Sequence, residues 1–198
     1  TSLAEKMGSF ASQYMRFSPS LLNLKYRGTL AKQNVALLRL CFLKGFLSQH
    51  HETVSFVNAE QLAQRIGLRI EEEKDHHFSD YENALKCTLS KREEEFTIGG
   101  VVFSGPHPRL TLINGFVLEM APTGTILTIK NNDRPGIIGA IGACLGKHNV
   151  NIDQFNLGRD QKGGEAMALL RVDEDIEEDV IRELENLPNI NFVCKIRL

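Results

Sequence analysis

Six residues, Asn131-Asn132-Asp133-Arg134-Pro135-Gly136, constrain the possible folds of this chain more than any other stretch. They sit between an apolar strand and a glycine-studded helix. On the N-terminal side Ile126, Leu127 and Ile129 lie among Thr125 and Thr128, a β-branched run of strand length. On the C-terminal side Ile137, Ile138, Ala140, Ile141, Ala143, Cys144 and Leu145 fill three turns of an apolar helix. Asp133 supplies a side-chain oxygen where a helix start needs an acceptor, and Pro135 suits a first turn, where a missing N–H costs nothing. The turn is therefore expected to hold free backbone N–H groups beside a carboxylate. Such a place can grip both ends of a small zwitterion.

The residues beyond it fix the fold class. Asn149 follows the helix and tolerates the left-handed conformation of a C-terminal cap. Residues 152–159 read as a second strand, Asp160-Gln161-Lys162-Gly163-Gly164 as a turn, and residues 165–172 as a third strand. Ile176, Val180, Ile181, Leu184 and Leu187 mark one face of a second helix, which Pro188 and Asn189 stop. Ile190, Phe192, Cys194 and Ile196 alternate with polar residues in a last strand. The order βαββαβ predicts a ferredoxin-like α+β domain, an antiparallel sheet with two helices on one face.

Upstream, residues 3–15 read as a short amphipathic helix and residues 22–27 as an alternating strand. Residues 35–46 form a helix apolar around most of its circumference. Residues 54–57 read as a short strand, 58–66 as a helix stopped by Gly67, and 68–72 as another strand. Residues 73–81 read as a polar loop. Residues 84–89, 96–103, 110–113 and 116–120 read as a meander, with Asn114-Gly115 as a two-residue hairpin turn. The expected organisation is a helical lead-in over 1–20, a mixed α/β domain over 21–121 and the βαββαβ domain over 125–198. The joint falls at Ala121-Pro122-Thr123-Gly124.

Composition excludes several classes of function. With 23 basic and 25 acidic residues the net charge is −2, so no electrostatic footprint for nucleic acid exists. The longest apolar run, residues 35–47, is broken by Arg39 and Lys44 and falls short of a membrane span. Cys41, Cys87, Cys144 and Cys194 are scattered among apolar residues, the pattern of free thiols in a reducing compartment, so a cytoplasmic location is expected. The first residue is Thr rather than Met, and the chain is expected to be part of a longer one.

Gly136, Gly139, Gly142 and Gly146 are spaced G-x-x-G-x-x-G, which is not the dinucleotide pattern. They are read instead as permitting close approach to the sheet or to a neighbouring subunit. Of the histidines, only Asp75-His76-His77 with Asp80 forms a cluster, and a solvated loop accounts for it, so no metal site is expected. Neither a nucleophile elbow nor a paired base is visible, and no catalytic residue is assigned.

Residues 125–198 resemble an ACT domain, the small-molecule sensing module appended to many enzymes of amino-acid metabolism. The Asp133-Arg134-Pro135-Gly136 turn, the glycine-rich helix and Asn149-Val150-Asn151-Ile152 carry the likeness. Tyr26-Arg27-Gly28, Leu43-Lys44-Gly45, Phe56-Val57-Asn58-Ala59, Phe103-Ser104-Gly105 and Leu112-Ile113-Asn114-Gly115 resemble the intervening, allosteric-substrate-binding domain of the longer D-3-phosphoglycerate dehydrogenases. In those enzymes that domain directly precedes an ACT domain. The resemblance implies a regulatory region that binds L-serine at an interface between two ACT domains. Asn131, Asp133, Arg134, Pro135, Gly136 and Ile137 would come from one subunit, and Asn151 and Ile152 from the other. It further implies an anion site for a phosphorylated ligand at Arg109 and Arg171. Catalysis and NAD would belong to a part of the enzyme outside this chain. The regulatory portion of an iron–sulfur L-serine dehydratase and a free-standing amino-acid-binding module remain as alternatives.

Overall fold

Leu22, Leu24 and Tyr26 alternate with Asn23, Lys25 and Arg27, and that period of two makes strand β1 (Leu21–Gly28), buried at every second residue. The computed structural model describes residues 1–76, 82–103 and 106–198. It divides into two units, Thr1–Asn114 and Gly115–Leu198, and its helices and two sheets are of the expected α+β class.

In the first unit β1 is flanked by β2 (Arg69–Asp75), parallel to it, and by β3 (Asn83–Lys91), antiparallel to it. β4 (Glu94–Phe103) and β5 (His107–Ile113) continue the meander, giving the order β2-β1-β3-β4-β5. The parallel step from β1 to β2 needs a long crossover, and α2 (Ala36–Leu47) and α3 (Ala59–Arg65) supply it. α1 (Ser2–Tyr14) lies against α2 at a pair of glycines: a Cβ on Gly8 would fall 2.1 Å from the Phe42 carbonyl oxygen, and one on Gly45 would fall 1.9 Å from that of Glu5. Phe10, Tyr14 and Phe96 form a ring cluster between α1 and β4. The whole of α1 is thus built into the first unit.

Two expectations here need correction. Residues 54–57 are not a strand, because the side chain of Asn58 bonds the backbone instead. Its Oδ1 accepts from Ser55 N–H at 2.7 Å and its Nδ2 donates to Thr53 O at 2.8 Å, a local arrangement that competes with any ladder. β2 runs on through the acidic stretch to Asp75, since its parallel register sets Glu73 opposite Lys25 and Asp75 opposite Arg27, and both pairs form ion pairs. The apolar helix that Gln33 and Asn34 are expected to open does follow them: it begins at Ala36, whose N–H is met by Asn34 Oδ1 at 3.1 Å. Of the polar loop and the histidine cluster, His77 and Asp80 lie outside the described residues. Asn114 and Gly115 both adopt positive φ, 47° and 85°, as their turn requires.

The second unit opens with β6 (Phe116–Met120), whose Val117 carbonyl comes so near Gly158 that a Cβ there would lie 2.7 Å away. This contact ties β6 to the strands that follow it, and the second unit begins at Gly115. Then come β7 (Thr125–Asn132), α4 (Ile137–Lys147), β8 (Ile152–Arg159), β9 (Glu165–Val172), α5 (Glu178–Glu185) and β10 (Ile190–Arg197). The antiparallel sheet has the order β10-β7-β9-β8. Alternate residues of the strands, among them Leu127, Ile129, Ala168 and Leu170, share one core with Ile141 and Leu145 of α4 and Val180 and Leu184 of α5. Both helices therefore cover the same face. Positive φ at Asn149 (56°) and Asn189 (66°) turns the chain after each helix.

Candidate functional site

Strand β7 delivers Asn131 to the helix-covered face of the sheet, where it is only 2% exposed. Its Nδ2 donates to the Asn132 carbonyl at 2.9 Å. Its Oδ1 is buried and has no hydrogen-bond partner among the described residues. A buried amide oxygen without a donor costs about 1–3 kcal/mol, so its presence needs an explanation. It borders a small chamber of about 40 Å³ that Asp133, Arg134, Ile137, Ile141, Phe155 and Leu157 also line.

The loop above this chamber differs from the sequence expectation in one respect. α4 starts at Ile137, its N-terminal flank is Gly136 at φ 93°, and no side chain caps it. Pro135 therefore precedes the helix instead of standing in its first turn, because glycine alone takes that backbone conformation easily. Asp133 is accordingly not the cap. Its Oδ2 accepts the N–H of Gly163 at 3.0 Å and an Arg159 N–H at 3.3 Å, while its own N–H donates to Gly164 O at 2.8 Å. The carboxylate clamps the β7–α4 loop to the β8–β9 turn. The Gly163 amide foremost, then Arg159, holds its pKa below the usual carboxylate value.

Clamped in this way, the loop and turn enclose an open cleft of about 510 Å³, lined by Asp133–Gly136, Ile138, Gly139, Arg159, Lys162 and Gly163. The cleft and the chamber share Asp133, Arg134 and Ile138. In the sequence, Arg159, Lys162 and Gly163 read only as a strand end and a turn, and nothing there marks them as site residues. The register that sets Asn132 opposite Glu165 brings them to the loop.

The remaining expected site residues lie elsewhere. Asn151 stands at the other end of β8, its Nδ2 on Asp173 Oδ2 at 2.6 Å and its N–H on Glu174 Oε2 at 2.7 Å. Ile152 pairs with Val172, whereas Arg159 pairs with Ala166. Eight residues at about 3.3 Å each put the two ends of this strand ~23 Å apart. One chain therefore does not bring Asn151 to Asp133. Arg171 is ion-paired with Asp153 and reaches Thr123 Oγ1 at 3.3 Å. Arg109 donates to the Pro108 carbonyl at 3.0 Å.

Outside this region, His148 and Lys147 converge on Glu183 at 2.8 and 2.9 Å, tying the end of α4 to α5. All four cysteines are free and buried. Among the described residues no three His, Cys, Asp or Glu side chains converge as metal ligands, and no helix is long and apolar enough to cross a membrane.

Residues 1–114 match the family model of the D-3-phosphoglycerate dehydrogenase intervening domain, and residues 125–189 match that of the ACT domain. Among curated proteins, the D-3-phosphoglycerate dehydrogenase of Bacillus subtilis is 33% identical over 197 residues, which cover 99% of this chain and 38% of that protein. That of Methanocaldococcus jannaschii is also 33% identical over 197 residues, covering 99% and 37%. That of Mycobacterium tuberculosis is 34% identical over 182 residues, covering 90% and 34%. The chain thus spans less than two-fifths of the length of these relatives.

Proposed function

We infer a regulatory role for this chain, which belongs to the D-3-phosphoglycerate dehydrogenase intervening-domain family and carries an ACT domain behind it. The parent enzyme, in this reading, oxidises 3-phosphoglycerate with NAD in the first step of L-serine formation, using residues outside this chain. The chain itself binds L-serine, the end product, as a feedback effector.

The observation that carries this reading is the unpartnered Oδ1 of Asn131 facing a chamber of about 40 Å³ beside Asp133. A chamber of that size suits a hydroxymethyl group, whose O–H would supply the missing donor. Asp133 spends Oδ2 on the clamp and keeps Oδ1 for the ammonium, while the first-turn N–H groups of α4 meet the carboxylate. The distance between Asn151 and Asp133 supports a site completed by a second copy, with Asn151 and Ile152 contributed from the far end of the partner's β8.

The test uses two variants and their mixture. Asp133→Ala should weaken serine binding by about ten- to a hundredfold in calorimetric titration, and Asp133→Asn, which keeps an acceptor, by less. Asn151→Ala should also bind weakly alone. In a two-fold pair, mixing Asp133→Ala with Asn151→Ala chains places both lesions in one pocket and leaves the other intact. Tight binding at half the sites should then return. Proven subunit exchange with no recovery would remove the shared-site model, and unchanged affinity in every variant would remove the site itself.

A further inference from the structure

We propose that Ala168 decides which amino acid the chamber beside Asn131 accepts. Its methyl group forms the floor and fixes the depth, so that a side chain of one carbon and one oxygen enters and its longer homologue does not. This rests on the reading of the Asp133 loop as an amino-acid site, and it names the residue that selects the ligand's size.

The chamber exists because of the order of residues along β9. On the helix-covered face that strand presents Ala166, Ala168, Leu170 and Val172 in turn. Leu170 stands opposite Leu127 and Phe155 and joins the core with them. One step nearer the loop, Ala168 stands opposite Ile129 on one side and Leu157 on the other, a methyl group between two larger side chains. Beyond it Ala166 stands opposite Asn131. The strand thus loses side-chain volume where β7 brings Asn131 under the loop, and packing that is close elsewhere leaves a gap. Ile137 and Ile141 of α4 roof it, and about 40 Å³ remains between them and the sheet.

The other walls are fixed by duties elsewhere. Ile141 is a core residue of α4, Phe155 packs against the same core, and Asn131 is held by its bond to the Asn132 carbonyl. Ala168 is fully buried and carries the smallest side chain of the lining, so each carbon added to it or taken from it changes the chamber directly. Floor, walls and roof belong to one chain. The second copy that completes the site in the reading above therefore leaves this depth as it is.

Volume turns this depth into a choice of ligand. A chamber of about 40 Å³ holds one group the size of a water molecule. A hydroxymethyl group uses that space and brings its O–H to Asn131 Oδ1. Glycine leaves the space empty, and a hydroxyethyl group needs one methylene more than Ala168 permits. The Asp133 loop and the α4 turn grip what all amino acids share, whereas the β9 residue beneath them reads the side chain.

The experiment titrates the full chain calorimetrically with glycine, L-serine and L-homoserine, in the native protein and in Ala168→Val and Ala168→Gly. Circular dichroism and thermal unfolding check that both variants fold; valine suits a strand and occupies space that the native packing leaves. One methylene too many or too few in a pocket changes affinity by about ten- to two-hundredfold. L-serine should therefore bind the native protein at least about tenfold more tightly than L-homoserine. In Ala168→Val, L-serine should weaken at least about tenfold, while glycine, which places nothing in the chamber, should stay within about threefold. In Ala168→Gly the preference for L-serine over L-homoserine should fall to within about threefold. Unchanged L-serine affinity in Ala168→Val would overturn the proposal while leaving an amino-acid site intact, and so would an unmoved serine-to-homoserine ratio in Ala168→Gly. Equal weakening of glycine and L-serine in Ala168→Val would overturn it too, because the residue would then act through the fold and not through the chamber. If none of the three amino acids binds the native protein, the underlying reading fails and the proposal with it.

Discussion

In the first unit, Gly8 and Gly45 are the points at which α1 and α2 touch, backbone against backbone. In the second, Gly139, Gly142 and Gly146 of α4 have nothing within 4 Å of where a Cβ would stand. The conspicuous glycines are the ones that face open space, and the inconspicuous pair makes the tight contact. Spacing along a helix therefore reports which residues share a face, but not what that face meets. Of the two neighbours expected for the α4 glycines, the sheet and a second subunit, the sheet is ruled out: Ile137, Ile141, Cys144 and Leu145 are the inward residues. The outward face presents Ile138, at 53% exposure, with Gly139, Gly142, Ala143 and Gly146, and Lys147 stands at its C-terminal edge.

The largest effect should come from the contact between α1 and α2. Gly45→Ala would force a methyl group to within 1.9 Å of the Glu5 carbonyl oxygen, and neither backbone can yield without parting the helices. A loss of ~3 kcal/mol is expected from overpacking of this kind, read as a fall in chemical-denaturation midpoint. A loss below about 1 kcal/mol would show that the helices separate easily and would erase the contrast between the units.

The opposite substitution in α4 should have the opposite sign. Gly142→Ala meets no atom, and removing a helix-interior glycine gains about 1 kcal/mol. Higher thermal stability with unchanged sedimentation would mark the face as solvated. Lower stability, or loss of a self-associated species, would show that the glycines exist for close approach by a second copy.

A smaller, pH-dependent effect tests how α4 is anchored at its C-terminal end. Glu183 is held at a pKa of about 2, down from its ordinary 4.5, chiefly by its hydrogen bond to His148 and then by Lys147. A carboxyl whose folded pKa is depressed contributes stability that is complete above the unfolded value and is lost as protons bind. The contribution should thus be full above pH 4.5 and should disappear as pH falls toward 2. His148→Ala should flatten the stability profile across that window. An identical acid slope in both proteins would rule out this anchor.

Much of the second unit was legible because its signals are local. Strands β8 and β9 fall on residues 152–159 and 165–172, where alternation and the Asp160–Gly164 turn put them. What the sequence did not disclose depended on pairings across the fold. The strand expected at 54–57 is undone by a single amide side chain, Asn58. Asp133 looks like a helix cap by position, yet its partners come from thirty residues downstream, at Gly163. Arg159 and Lys162 acquire meaning only through the β7–β9 register, which no local pattern encodes. The unpartnered oxygen of Asn131 is likewise a property of its surroundings, since asparagine at a strand end is unremarkable in a sequence.

The separation of Asn151 from Arg159 along β8 bears on how this strand can change over evolutionary time. If two copies share their pockets, β8 acts as a ruler that sets both half-sites at once. Inserting one residue would turn every side chain beyond it to the other face of the sheet. Inserting two would restore the faces but lengthen the ruler by about 6.6 Å, pulling both pockets out of phase together. Loops outside the site tolerate gain and loss of residues, but this strand is expected to keep its length. Among natural variants, the residue count between Asn151 and the Asp160 turn should therefore stay fixed even where the side chains between them change.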